Sequence, residues 1–322
     1  MSRSIIHIGY PKAGSTFLQA WFGRHPELRF VPEGIGGFRN VYEMARPSPE
    51  TFKYYVTSCE DLSAPHGGAG DIPLDVVTEW MTHPATMKQE QAGVCDALKA
   101  LFPGSRVIIV TRGFKGIIRS GYSQYVKSGG VLGTLKTLPE DVRADAFRYA
   151  SVFYDFDYLI KLYGEAFGRE NLLVLPYELL RDDRDRFLAV LEEWLGLRHA
   201  EIKLGRLNPS LSPEELYWYP RISRVVSAAA ARLGPARYKR FYGWYVGRML
   251  GHRLRPLVQL LRLLRPDGKV TEADFPDDML EHCRGKATLL KENPLYAPYA
   301  AEYLLDSASR EASQNSNDAE GR

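Results

Sequence analysis

The sequence predicts an α/β fold: a P-loop-like central parallel sheet flanked by helices, followed by a mostly helical C-terminal part. Three observations predict it. The apolar run Ile5–Ile8 ends in the Gly-bounded loop Gly9-Tyr10-Pro11-Lys12-Ala13-Gly14, and Phe17–Phe22 behind it reads as a helix. Val107–Val110 is a β-branched run of the kind buried on both faces of a parallel sheet. Strand patterns alternate with helical ones up to about residue 197, and helical patterns dominate after about residue 210.

Residues 5–9 are predicted as a strand and 15–23 as a helix. Residues 34–72 are rich in Gly, Pro and Ser and read as irregular or lid-like. Asp75–Trp80 is predicted as a strand, and Gln89–Phe102 as a helix stopped by Pro103-Gly104. Residues 106–111 form a further strand and 112–127 a helix, after which Ser128-Gly129-Gly130 opens a loop. Glu140–Tyr163 reads as one long helix with Tyr149, Val152, Phe153, Phe156 and Leu159 on one face. Residues 171–176 are a strand and 184–195 a helix. Asp306–Arg322 is rich in Ser, Asn and Glu and is expected to be a disordered tail. No internal repeat is visible.

A chain of 322 residues is long enough for one large or two smaller cores. Its 45% apolar and 25% charged content is ordinary for a globular protein, which sets aside a fibrous or wholly disordered class. Cys59, Cys95 and Cys283 are far apart, with no CxxC and no His at metal spacing, so reduced thiols are expected rather than a disulfide framework. Ile5–Ile8 is too short for a signal-peptide core, and no run of about 18 apolar residues is present, so a cytoplasmic protein is expected.

Strand, Gly loop and helix N-terminus together are a phosphate cradle, because loop N–H groups and the positive helix end face the anion. Gly9-x-x-x-x-Gly14 fits the first part of a P-loop, but Ser15 stands where the nucleoside-triphosphatase lysine should follow. The only lysine is Lys12, inside the loop. Taken alone, the two glycines read equally well as turn glycines, and a lone arginine such as Arg112 reads as a strand-end residue with no ligand.

The loop Tyr10-Pro11-Lys12-Ala13-Gly14-Ser15-Thr16-Phe17-Leu18 resembles the 5′-phosphosulfate loop of the sulfotransferases that use 3′-phosphoadenosine 5′-phosphosulfate (PAPS). Two further segments follow in that family's order. Val107–Val110 leads into Thr111-Arg112, and Ser120-Gly121-Tyr122 stands at the family's Arg-to-Ser spacing, although Gly113-Phe114 replaces the usual Asn/Asp-Pro. Asn171-Leu-Leu-Val-Leu-Pro-Tyr177-Glu178-Leu-Leu, with the stretch ending Trp194-Leu195-Gly196-Leu197, is similar to the family's strand, Tyr-Glu-x-Leu and amphipathic helix. The resemblance spans roughly residues 5–197 and leans toward bacterial and carbohydrate-type members, a lean that Asn208-Pro-Ser-Leu-Ser-Pro213 shares.

The resemblance implies a transferase that moves the sulfuryl group of PAPS to an acceptor hydroxyl in line and releases the bisphosphate PAP. Pro11, Lys12, Ala13, Gly14, Ser15, Thr16 and Phe17 would hold the 5′-phosphate, Arg112 and Ser120 the 3′-phosphate, and Tyr177 would lie near the adenine. Lys12 would neutralise charge on the leaving oxygen. No metal is required by this chemistry, and no ligand cluster is visible in the sequence. The base is read as Glu79, because a carboxylate at a strand's C-terminal end points into the α/β ligand crevice, with His83 as the second choice. His7 reads as a packed residue. In this scheme residues 1–210 are the PAPS-binding core, 211–305 a helical, basic, aromatic-rich extension shaping the acceptor site, and 306–322 the tail.

Charge is unevenly placed. From Leu216 to Pro266 there is no Asp or Glu, while eleven Lys and Arg residues occur among many Tyr and Trp and near Leu257-Val-Gln-Leu-Leu-Arg-Leu-Leu264. Two readings stand: core helices with a solvated basic face, or an interfacial amphipathic helix in peripheral contact with an anionic membrane. Nucleic acid is not expected, since no reading motif accompanies the charge. The acceptor is expected to be a carbohydrate, polysaccharide or glycolipid, with a phenol or carrier-bound hydroxyl as other options. Two further classes stay open, a P-loop kinase and a non-catalytic nucleotide-fold binding protein. A kinase needs a lysine after Gly14 and acidic Mg²⁺ ligands after a strand, where the chain has Ser15 and Thr111-Arg112.

Overall fold

The computed structural model describes residues 3–30, 52–63, 84–137, 152–204, 211–275 and 277–305. The chain divides into two compact units. One comprises residues 1–117, 148–208 and 280–322, and the other 118–147 and 209–279.

The first unit is built on a parallel sheet of five strands: β1 (Arg3–Gly9), β2 (Leu28–Phe30), β3 (Tyr54–Cys59), β4 (Arg106–Thr111) and β5 (Leu172–Pro176). Their spatial order is β2-β3-β1-β4-β5, so β1 is the central strand. It pairs Ile5 with Val56 of β3 on one side and Ile6 with Val107 of β4 on the other. Ile5, Ile6, Ile8 and Val107 to Val110 are all buried, which is why these segments are continuous apolar runs. Burying each such side chain contributes roughly 1.5–3 kcal/mol. From β1 the chain crosses to the β2 edge, and from β4 to β5 on the other side. The loops after β1 and β4 therefore diverge, leaving the crevice at the strand C-termini where open α/β sheets bind ligands.

Helices α1 (Ser15–Phe22), α2 (Pro84–Leu101), α3 (Phe114–Lys127), α4 (Phe156–Phe167), α5 (Tyr177–Asp182) and α6 (Arg184–Leu195) follow the strands in turn. The boundary between the units falls within α3. Two expectations need correction. Tyr54–Cys59, inside the stretch read as irregular, is β3 and lies next to the central strand. Its Tyr-Tyr-Val-Thr-Ser-Cys sequence is rich in the aromatic and β-branched residues that suit a pleated surface. The predicted helix over 140–163 is also not continuous. Asp155 leaves the helical conformation and its carboxylate accepts the Tyr158 N–H at 3.2 Å, which starts α4 afresh. The faces assigned there hold, with Val152, Phe153, Phe156 and Leu159 all buried. The predicted strand Asp75–Trp80, most of the 34–72 segment, residues 140–151 including Tyr149, and the tail 306–322 lie outside the described residues.

Asp155 also accepts Lys88 Nζ at 2.9 Å and Lys286 Nζ at 3.0 Å. Burial works against its charge, but the two lysines outweigh this and hold its carboxyl below the usual aspartate range. A carboxyl lowered in the folded state stabilises the fold at neutral pH, and that contribution is lost as pH falls through its folded value. The Asp155→Asn variant is therefore expected to melt earlier at pH 7 and to approach the parent protein below about pH 4. Thermal unfolding across that range checks this, and a gap that does not narrow on acidification refutes it.

The segment after residue 280 belongs with the sheet. Asp157 accepts the Thr288 and Leu289 N–H groups at 2.8 and 2.9 Å, and Asn293 donates to the Val174 carbonyl at 3.2 Å. Thr111 at the end of β4 shares a hydrogen bond of 2.7 Å with the Tyr296 hydroxyl. Cys59, Cys95 and Cys283 form no disulfide, and burial pushes the Cys95 and Cys283 thiols up to about 12.

The second unit holds α7 (Pro213–Ala230), α8 (Pro235–Leu250) and α9 (Arg255–Leu264). Ser212 and Glu215 close a reciprocal capping box on α7, with Pro213 at the first helical position. The buried Glu215 also accepts Tyr219 Oη and Arg255 Nε, each at 3.0 Å, and so ties α9 to α7. Tyr245 and Tyr238 of α8 bond to Ser223 and Ser227 of α7 at 2.9 and 3.1 Å. Among the described residues no helix is long and apolar enough to cross a membrane.

Candidate phosphate-binding site

The site is built where β1, β4 and β5 end. After Gly9 the chain turns through Tyr10–Gly14, closed by a 3.1 Å bond from the Ala13 N–H to the Tyr10 carbonyl. Pro11 lies in this turn. Lys12 adopts a left-handed conformation with φ of 71°, rare for a residue with a side chain and costing roughly 1–2 kcal/mol. What holds it is Arg112, at the end of β4, whose Nη1 donates to the Lys12 carbonyl at 2.8 Å. The arginine proposed for one phosphate thus braces the loop proposed for the other.

Gly14 follows at φ of 90° and is the N-cap of α1. It offers no capping side chain, and the first turn contains no acid. The end of α1 is thus electropositive, with N–H groups facing away from the helix. Ser15 is buried, and its Oγ has no partner among the described residues. A buried hydroxyl with nothing to bond to is costly unless a ligand oxygen meets it. Thr16 is exposed on the same turn, Ala13 is buried beneath the loop, and the Phe17 ring faces the Arg184 guanidinium at 5.2 Å.

Close packing requires the two glycines. A Cβ on Gly9 would stand 2.4 Å from Ser15 Oγ, and one on Gly14 2.9 Å from Leu180 Cδ2 and 3.1 Å from Tyr177 Cδ2. Gly14→Ala is expected to cost about 2–3 kcal/mol of stability, from a strained φ and a clash together. Denaturant unfolding measures it, and a variant of unchanged stability would show that the loop has room to relax.

Arg112 is largely buried, stacked on the Tyr177 ring with 4.5 Å between the guanidinium carbon and the ring centroid. Burial lowers its proton affinity, while Tyr177 and Glu178 pull the other way. Tyr177 and Glu178 open α5 directly after β5. The fully buried Glu178 carboxylate accepts the Gly113 N–H at 3.0 Å and the Tyr303 hydroxyl at 2.5 Å, which pins the turn that carries Arg112. A Cβ on Gly113, in the same turn, would stand 2.6 Å from the Cβ of Glu302. Phe114 is buried and stacks on Phe156 at 5.0 Å.

The structure thus brings together Pro11 to Phe17, Arg112 and Tyr177 within the first unit. Ser120, half-buried on α3, belongs to the second unit. Glu79 and His83 lie outside the described residues. His7 is buried in β1 with its Nδ1 2.7 Å from Ser58 Oγ, and burial pushes its pKa down to about 3, so it stays neutral. Among the described residues no group of three or more His, Cys, Asp or Glu is placed to hold a metal.

Sequence reasoning did not single out the supports: Glu178 and Tyr303 behind Arg112, and Ser63, whose hydroxyl donates to the Gly9 carbonyl at 3.1 Å. A glutamate directly after Tyr177 was a visible signal. Tyr303, some 125 residues away, offered none.

No protein-family model matches the chain, and no curated protein matches it. Among solved structures it is similar to a sulfotransferase from Alicyclobacillus acidocaldarius, at 13% identity and a TM-score of 0.44, over 76% of this chain and 96% of that one. It is also similar to mouse sulfotransferase SULT7A1 complexed with PAP (17%, 0.34, 62% and 60%). A third is the sulfotransferase domain from the curacin biosynthetic pathway (13%, 0.36, 68% and 78%). At these identities and TM-scores the likeness assigns no function to this chain.

Proposed function

We propose that the protein is a PAPS-dependent sulfotransferase acting on an acceptor hydroxyl, with a carbohydrate, polysaccharide or glycolipid as the favoured acceptor class. One observation carries the reading: the β1–α1 loop and Arg112 form a single braced unit around an uncapped helix N-terminus and the orphaned Ser15 hydroxyl. That donor set fits a phosphate oxygen. Lys12, carried on the same loop, is the residue proposed to neutralise charge as an oxygen leaves. Arg112 adds a planar fork for a second phosphate, with the Ser120 hydroxyl assigned to the same group by its spacing from Arg112. These residues bind and orient, and in-line transfer gains most of its rate from such positioning and from charge stabilisation. Glu79, with His83 as the second choice, is proposed as the base that takes the acceptor's proton.

A kinase reading lacks the lysine after Gly14 and the acidic residues at the end of β4, where Thr111 is buried against Tyr296 and Tyr303 and Arg112 follows. Calorimetric titration tests the proposal. PAP is expected to bind at least tenfold more tightly than ADP, and Arg112→Gln to remove most of that preference. Equal affinity for the two ligands, or binding of neither, would overturn the donor assignment.

A further inference from the structure

We propose that α8 and α9 form a docking surface for an anionic lipid bilayer. The sequence left open whether the basic stretch 216–266 is a solvated face or an interfacial one, and the structure shows how it is arranged.

Helix α9 is pinned by its polar side. Arg255 bonds to Glu215, and Arg262 lies 3.9 Å from Glu214, both on α7, while Val258 is buried on the neighbouring side. The opposite arc carries Leu257, Leu260, Leu263 and Leu264, exposed by 41%, 56%, 78% and 77%. Four leucines on one arc of a ten-residue helix, with the arginines on another, make it sharply amphipathic with its apolar face outward. The helix is roughly 15 Å long, too short to span a bilayer and suited to lying in its surface.

Helix α8 also turns apolar side chains outward, but they are aromatic and share their face with arginines. Tyr238 and Tyr245 face α7, and Tyr242 donates to the Gly129 carbonyl. The outward face carries Arg237, Arg240, Phe241, Trp244 and Arg248 at helical spacing. Trp244 is 54% exposed and stacks on Phe241 at 5.7 Å, and the Arg248 guanidinium lies 4.6 Å over its ring. Among the described residues no carboxylate lies within ion-pair distance of Arg237, Lys239, Arg240, Arg248 or Arg253, whereas Arg255, Arg262 and Arg265 each have one.

This combination selects the partner. Exposed leucines favour any apolar medium, but cations with no carboxylate partner among the described residues call for an anionic one. Tryptophan stacked with arginine suits the headgroup layer, where an aromatic body is apolar and its edge stays wet. Phosphate headgroups above acyl chains meet all three demands at once. The inference is independent of the donor assignment above.

Vesicle co-sedimentation of the full chain tests it, using phosphatidylcholine alone and phosphatidylcholine mixed with phosphatidylglycerol. The protein is expected to pellet with the anionic vesicles at low salt and to be released as salt rises. Leu260→Glu/Leu263→Glu/Leu264→Glu and, separately, Arg237→Gln/Arg240→Gln/Arg248→Gln should each weaken that binding at least tenfold. These side chains are exposed, so unfolding temperatures should stay near that of the parent, which separates lost docking from lost folding. Equal recovery on both vesicle types, or on neither, would overturn the proposal. So would a dimer in sedimentation velocity that the leucine substitutions dissolve, since the apolar face would then belong to a second copy.

Discussion

On the sulfotransferase function proposed above, substitution of Lys12 is expected to reduce sulfuryl transfer by roughly 10²–10³-fold, the usual cost of removing one preorganised donor from a developing anion. Two variants separate its roles. Lys12→Ala removes the ammonium and keeps a side chain at φ of 71°, whereas Lys12→Gly removes the ammonium and relaxes the backbone. If the ammonium is what matters, both lose turnover alike, and both keep PAP affinity within about tenfold because loop and helix N–H groups remain. Single-turnover transfer from labelled PAPS with calorimetry alongside is the measurement. Turnover retained by Lys12→Gly would reduce Lys12 to a loop residue whose carbonyl anchors Arg112.

The largest effect on stability is expected at Glu178. Its carboxylate satisfies the Gly113 N–H and the Tyr303 hydroxyl, all within the protein interior. Glu178→Ala leaves the Gly113 N–H without an acceptor, leaves the Tyr303 hydroxyl only Thr111 Oγ1 at 3.3 Å, and opens a void, at about 3–5 kcal/mol. Glu178→Gln keeps an acceptor for Gly113 and presents an amide to Tyr303, so it should cost about 1–2 kcal/mol. Urea unfolding ranks the two. Because Gly113 follows Arg112 directly, Glu178→Ala should also weaken PAP binding more than ADP binding. An alanine variant as stable as the parent would show that the Tyr303 contact is dispensable to this end of the sheet.

The parts of the fold legible in the sequence are those whose physics is local. β1 and β4 are largely apolar runs because both faces of each strand are buried, the edge strand β5 is apolar though half-buried over Leu172, Leu173 and Val174, and α6 announces itself by Asp183 at its start and Gly196 after its end. The loop from Gly9 to Gly14 was legible for the same reason, since left-handed turns and close packing demand glycine at fixed positions. β3 was not, because Tyr54–Cys59 is short and sits in Gly- and Pro-rich surroundings that mask its pattern. Nor was the break at Asp155, where a cap and two lysines outweigh a helical periodicity that runs straight through.

The chain's own order of residues was enough to determine a parallel sheet, a Gly-bounded loop after its first strand, and an acid-free basic stretch near its end. Only the tertiary structure decided that Arg112 holds the Lys12 carbonyl and stacks on Tyr177, that Glu178 reaches Tyr303, and that the leucines of α9 face outward. Periodicity and turn chemistry act over a few neighbouring residues and can be read in line. Which buried donor meets which acceptor, and which helix face stays uncovered, depends on segments such as those of Glu178 and Tyr303, 125 residues apart, arriving at one place, which backbone propensity does not encode.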